Sequence, residues 1–206
     1  MIALTGSLFS APASAAEMPP QTPSVSLATA VDSENSLSSE QKDAIYLLTS
    51  ATDREARTFD SDEAVAAGVD EQAVAEYAAA FQNTAGLPSE GQDSRVMPGS
   101  TTTVAACTGK RGYTGFYGWG WQTALNSCET NLLIGAMGAG GGGAYAISGV
   151  LVAAGVPAPA AAVTAAVGGL ITAGVGVVSV CKAASYTKNA IYLDAFVTGG
   201  VGCWGQ

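Results

Sequence analysis

Residues 130–181 read TNLLIGAMGAGGGGAYAISGVLVAAGVPAPAAAVTAAVGGLITAGVGVVSVC, fifty-two consecutive positions without one Asp, Glu, Lys or Arg. A helix that is apolar all round belongs in a core or in hydrocarbon. The first half, Leu132 to Val156, supplies twenty-five apolar or small residues, and the second half, Ala158 to Cys181, supplies twenty-four more. At about 1.5 Å per residue, each half is long enough to cross a bilayer core of about 30 Å. Between them Pro157 and Pro159 remove backbone donors and push the preceding residues away from helical geometry, which breaks the helix there. The pattern predicts a helical hairpin.

Small residues recur at four-residue spacing in the first arm. Gly135, Ala139 and Gly143 form one such row, and Gly138, Gly142 and Ala146 form another; the second arm, with Gly168, Gly169, Ala173 and Val177, has the same character. In a membrane these rows let helix backbones approach closely. In water the four glycines from 140 to 143 cost about 4 kcal/mol of helix propensity against alanine, so the segment needs packing or lipid to hold it. The same run lacks the Lys and Ser/Thr that complete a phosphate loop.

Outward from the uncharged stretch, residues 107–128 carry Tyr113, Phe116, Tyr117, Trp119 and Trp121 among glycines at 109, 112, 115, 118 and 120. This alternation predicts a turn-rich or short-strand cap, with Gln122 to Asn126 beginning helical structure. On the far side, Lys182, Tyr186, Lys188 and Tyr192 repeat the mix of base and aromatic. Ile191 to Val197 alternates, Gly199-Gly200 makes a turn and Val201 to Trp204 follows, which predicts a small terminal strand or hairpin. Trp and Tyr concentrate at membrane–water boundaries, so Tyr117, Trp119, Trp121 and Trp204, with Lys110, Arg111, Lys182 and Lys188, are the candidate interface residues. An ordinary aromatic mini-core is the competing reading of the same rings.

The four cysteines, Cys107, Cys128, Cys181 and Cys203, lie in the second half, and with no histidine and no CxxC pair they read as two disulfides. Cys107 with Cys128 and Cys181 with Cys203 need the shorter loops; Cys128 with Cys181 across the mouth of the hairpin is the open alternative.

Residues 1–16 resemble the end of a signal peptide, an apolar run followed by Ala11-Pro12-Ala13-Ser14-Ala15-Ala16, and the lack of Lys or Arg before Lys42 suggests a start upstream of Met1. Residues 17–37 are Pro/Ser/Thr-rich and read as a disordered tether. Ser38 and Gln41 form the capping box of a helix whose apolar face is Ala44, Ile45, Leu48 and Ala51. A short turn follows from Asp62 to Gly68. A third helix starts at Asp70 and buries Ala73, Val74, Tyr77, Ala78 and Phe81, ending at Gly86-Leu87-Pro88. Residues 38–88 are thus an acidic helical pro-segment, too poor in large side chains to be stable alone. Residues 89–106 read as a flexible, nickable linker, with Arg95 and Val104-Ala105-Ala106 as candidate cleavage points. Residues 107–206 form a disulfide-stapled hydrophobic hairpin domain. The expected fold class is mainly α: a small acidic helical segment plus a disulfide-capped Ala/Gly-rich hairpin, with a short terminal β element.

Residues 1–99 carry fifteen acids against four bases, and residues 100–206 carry two against four, so a half of charge −11 is joined to one of +2. Neither half has the clustered Lys and Arg that phosphate backbones require, which argues against nucleic acid. Without histidine, Ser-His-Asp and Cys-His catalysis and histidine metal sites are excluded, and the two carboxylates of the second half, Glu129 and Asp194, stand in different caps. No enzymatic activity, cofactor or metal is expected.

The signal-like start, acidic first half, nickable linker and stapled apolar hairpin together resemble the precursor of a secreted bacteriocin. The Ala/Gly/Val-rich hairpin is similar in kind to that of pore-forming colicins, over roughly Cys107 to Gln206, in architecture and composition. The resemblance implies a secreted antibacterial protein whose hairpin enters the anionic lipid of a bacterial membrane once released from the pro-segment. It further implies self-oligomers and an immunity protein as partners. The alternative is a secreted, non-enzymatic structural or binding module with an Ala/Gly-rich helical core.

Overall fold

A computed structural model describes residues 36–87, 106–138, 143–156, 159–197 and 200–206 of the chain, all within one compact unit. The expected signal-like segment, the tether up to residue 35 and the linker from 88 to 105 lie outside the described residues.

Helix α1 (Ser39–Ser50) begins at the expected capping box, in which the Ser38 hydroxyl accepts from the Gln41 amide and the Gln41 side chain accepts from the Ser38 amide. Two-residue strands β1 (Thr52–Asp53) and β2 (Thr58–Phe59) pair antiparallel after it. Asp60 caps α2 (Ser61–Ala66), and Gly68 closes the turn at φ +97°, a left-handed conformation that glycine adopts without strain. Asp70 caps α3 (Glu71–Ala85) by accepting from the Gln72 and Ala73 amides. The stripe Ala73, Val74, Tyr77 and Phe81 is buried as the spacing predicts, and Tyr77 packs against Phe59 and Phe81 with ring centroids 4.7 and 6.1 Å away.

The second half departs from a mainly α fold. Strands β3 (Gly112–Tyr117) and β4 (Gly120–Leu125) form a hairpin, followed by helices α4 (Ser127–Gly138), α5 (Gly143–Ala153) and α6 (Ala160–Ala183), and then by strands β5 (Ile191–Phe196) and β6 (Val201–Gly205). The four strands make one antiparallel sheet in the order β3-β4-β5-β6. The arrangement is α+β, and the expected terminal β element is half of a sheet that the aromatic cap completes. Gln122 to Leu125, expected to begin a helix, are strand, because their ladder partner β5 arrives from 66 residues further on, beyond the reach of any local pattern.

The two-armed hairpin is also corrected, to three helices. The first arm divides into α4 and α5 on either side of residues 139–142, which lie outside the described residues, and the second arm is α6. The break between arms falls where the prolines require it, with Pro159 at the N-cap of α6. Inside α6, Gly174 adopts φ 75°, ψ 162° and kinks the helix.

The core lies around α5, in which Ala144 and every residue from Ile147 to Ala153 are buried. Helix α3 lies across it at Gly149, where an added Cβ would stand 2.6 Å from the Tyr77 carbonyl oxygen, so the glycine sets how closely the helices approach. Leu37, at the end of the expected tether, is buried against the core, and Gly168 of α6 lies beside its side chain. The acidic helices therefore form one wall of the hydrophobic core.

Candidate functional site

Both disulfides close locally. Cys107 bonds Cys128 in α4, and Cys181 in α6 bonds Cys203 in β6, spanning 21 and 22 residues respectively. Among the described residues no cysteine is free and no group of three or more Cys, Asp or Glu could hold a metal. The disulfides are compatible with an extracellular or secreted protein.

The glycines marked for helix packing separate by role. An added Cβ at Gly143 would stand 2.6 Å from the Ala136 carbonyl oxygen, so this glycine permits the close approach of α5 to α4. Gly135 and Gly138 are exposed, with nothing among the described residues within 4 Å of such a Cβ. Ala139 and Gly142 lie outside the described residues. Gly169 of the second arm is closely packed against β6, where an added Cβ would stand 2.9 Å from the Val201 nitrogen, and Gly149 against α3 is a close approach that the small-residue rows do not mark.

The four cations disperse. Lys110 and Lys188 are exposed, and Lys182 donates to Asn131 of α4 at 2.7 Å. Arg111 is drawn inward: its guanidinium is 2.7 Å from a Glu129 oxygen and donates to the carbonyls of Thr84 and Leu87 at the end of α3. Those carbonyls lie at the C-terminal end of the helix, where a cation complements the helix dipole. Glu129 is fully buried and forms a capping box with Asn126, each side chain accepting from the other's amide. Burial pushes the Glu129 carboxyl up against the opposing pull of Arg111. Arg111 thus ties the acidic helices to the start of α4.

The aromatic residues divide by the alternation of the strands. Residues opposite one another in the ladder share a face, so Thr123, Leu193 and Cys203 lie on the inner face with Leu125 and Ile191, packed towards α6. Trp121 is on that inner side, half-buried and 5.3 Å from the Phe116 ring. Outward on the other face stand Gln122, Asp194 and Gly202 in one row, Gly120 and Phe196 in the next on one side, and Ala124, Tyr192 and Trp204 on the other. Tyr117 and Trp119 stack with centroids 5.4 Å apart, and Trp119 tilts against Phe196 at 5.6 Å. Tyr192 and Trp204 form a second pair, with centroids 6.2 Å apart. Tyr117, Trp119 and Trp204 are each about 40 % exposed.

A polar chain runs between these two clusters. The Thr114 hydroxyl donates to the Gln122 side-chain oxygen at 2.8 Å, and Gln122 Nε2 donates to Asp194 Oδ1 at 3.1 Å. Asp194 is 0 % exposed, its Oδ2 has no hydrogen-bond partner among the described residues, and burial raises its carboxyl to about 6. Isolated acids in a sequence give no sign of such an environment; the signal would have been the register that puts Asp194 beside Gln122.

On the opposite side of the sheet, α6 packs its inner residues on β5 and β6 and turns Thr172, Val175, Ser179 and Val180 to solvent, with Val180 at 60 % exposure. Among the described residues it is the one helix long and apolar enough to cross a membrane, a test that core helices of soluble proteins also pass. Comparison with known proteins finds no matching family model, no similar curated protein and no similar solved structure.

Proposed function

We propose that this chain is a secreted, membrane-active antibacterial protein held latent by its acidic N-terminal helices. The observation that carries the reading is the solvent-facing side of α6, which has no charged residue before Lys182 although it stands in water. Its polar groups there are the small hydroxyls of Thr172 and Ser179. A helix without a charged face is suited to exchange water for lipid. Helix α5, equally free of charge, is covered by α3, whose departure would expose it. Departure of α3 would also strip Arg111 of its Thr84 and Leu87 partners, leaving it paired with Glu129, while Lys110, Lys182 and Lys188 would face anionic headgroups at about 1 kcal/mol each. Partners on this reading are the anionic bacterial membrane, further copies of the chain meeting at exposed small residues such as Gly135, and an immunity protein in the producing cell.

The test is dye release from phosphatidylglycerol vesicles by the chain carrying a specific protease site within residues 89–105, before and after cutting. Release by the cut protein alone is the expected result. No release by either form, at any lipid ratio, refutes the proposal. A second reading, a non-enzymatic binding module, draws on the burial of α5 as an ordinary core helix. It requires that the cut protein keep an unchanged circular dichroism spectrum when lipid is added.

A further inference from the structure

The outer face of the sheet has features that neither membrane insertion nor folding uses. Two aromatic clusters, Tyr117–Trp119–Phe196 and Tyr192–Trp204, flank the polar chain Thr114–Gln122–Asp194. Tyr192 and Phe196 are four residues apart on one strand, which separates the clusters by about 13 Å. Between them lies the buried Asp194 oxygen without a donor. A buried acceptor left unpaired is a standing cost in the free protein that a ligand donor would relieve.

We propose that this face binds an extended neutral oligosaccharide, with sugar rings resting on the two aromatic clusters and hydroxyls bonded to the Thr114–Gln122–Asp194 row. Flat sugar faces carry aliphatic C–H groups that suit the exposed rings of Trp119 and Trp204, while sugar hydroxyls are the donors that Asp194 Oδ2 lacks. The spacing of the clusters suits several linked rings rather than a single sugar.

Access to the carboxylate is gated by the Phe196 ring at Gly202. An added Cβ there would stand 3.1 Å from the Phe196 ring and 3.8 Å from Asp194 Oδ2, so ring and carboxylate share the space that the missing side chain leaves. Rotation of the Phe196 ring opens that space to a hydroxyl. The charge pattern selects against phosphate headgroups, because β3 to β6 carry no Lys or Arg and one carboxylate. This face also lies across the sheet from α6, so sugar binding and the proposed membrane step use different surfaces and fail independently.

The experiment is titration of the full chain with chitotetraose and cellotetraose, followed by calorimetry and tryptophan fluorescence, with co-sedimentation on purified peptidoglycan. Phosphatidylglycerol vesicles are the competing probe. Saturable binding to at least one glycan is expected, weakened about tenfold or more in Trp119→Ala and in Trp204→Ala. Asp194→Asn, which keeps the shape but removes the charged acceptor, should also weaken it while circular dichroism stays unchanged. The proposal is overturned if no glycan binds, if binding survives both tryptophan substitutions, or if vesicles bind this face and glycans do not.

Discussion

Asp194 gives the fold a pH dependence that one substitution should remove. Its carboxyl stands at about 6 in the folded chain against an ordinary 3.8, because the sheet removes it from water and Gln122 supplies a single donor. Below about pH 3 the group is protonated in folded and unfolded chains alike. Between there and pH 6 the unfolded chain has released its proton while the folded chain still holds it, so rising pH favours unfolding. Above pH 6 both forms are ionised, and the gap of roughly two pH units amounts to a loss of about 3 kcal/mol. Asp194→Asn mimics the protonated acid at every pH. Urea denaturation followed by far-ultraviolet circular dichroism, disulfides intact, at pH 3 and pH 7.5 should show the parent losing about 3 kcal/mol more than the variant. Glu129 is also raised and shifts both proteins in the same direction, so the difference isolates Asp194. Curves that remain parallel to within about 0.5 kcal/mol would refute the account of a desolvated, under-bonded carboxylate.

Gly149→Ala should destabilise by about 1–3 kcal/mol and speed amide exchange in α3, because its Cβ meets the Tyr77 carbonyl. Gly135→Ala, with open space around it, should instead stabilise by about 0.5–1 kcal/mol in the same denaturation assay. Arg111→Ala strands the Glu129 charge in the core and should cost about 3–5 kcal/mol; a double variant that also carries Glu129→Gln should recover part of that loss. Replacing Cys181 and Cys203 together with Ser should cost about 3 kcal/mol, read as a lowered urea midpoint, from the 22-residue loop that the bond closes.

What the sequence made legible was local. The capping box at Ser38, the buried stripe of α3 and the break at the prolines each depend on residues within a turn or two of one another. The sheet depended on pairing across the whole uncharged run, and two features masked its strands. Glycines interrupt the alternation of β3, and a bulge between Tyr113 and Gly115 shifts its register. The boundary at Asn126 did have a readable sign, since Asn126 and Glu129 stand at capping-box spacing and mark the helix start after Leu125. For the site, the positions of Trp119 and Trp204 near the apolar run were visible, but Asp194 acquired its character only from the strands on either side. Arg111 looked like a surface cation because nothing nearby in sequence announces Glu129 and the end of α3 as its partners.

The sheet takes its strands from both sides of the apolar run, and a disulfide fixes each end of that run: Cys128 to the segment before β3 and Cys181 to β6. Each bond stays on its own side of the run, so residues 129–180 are a purse whose drawstring is the pairing of β4 with β5. Whatever this purse enters, it must leave by the same door, so any excursion across a bilayer involves an even number of passages and keeps the strands on the side from which they came. Separating β4 from β5 unties the purse, and a topology with an odd number of passages would then be open to the chain for the first time.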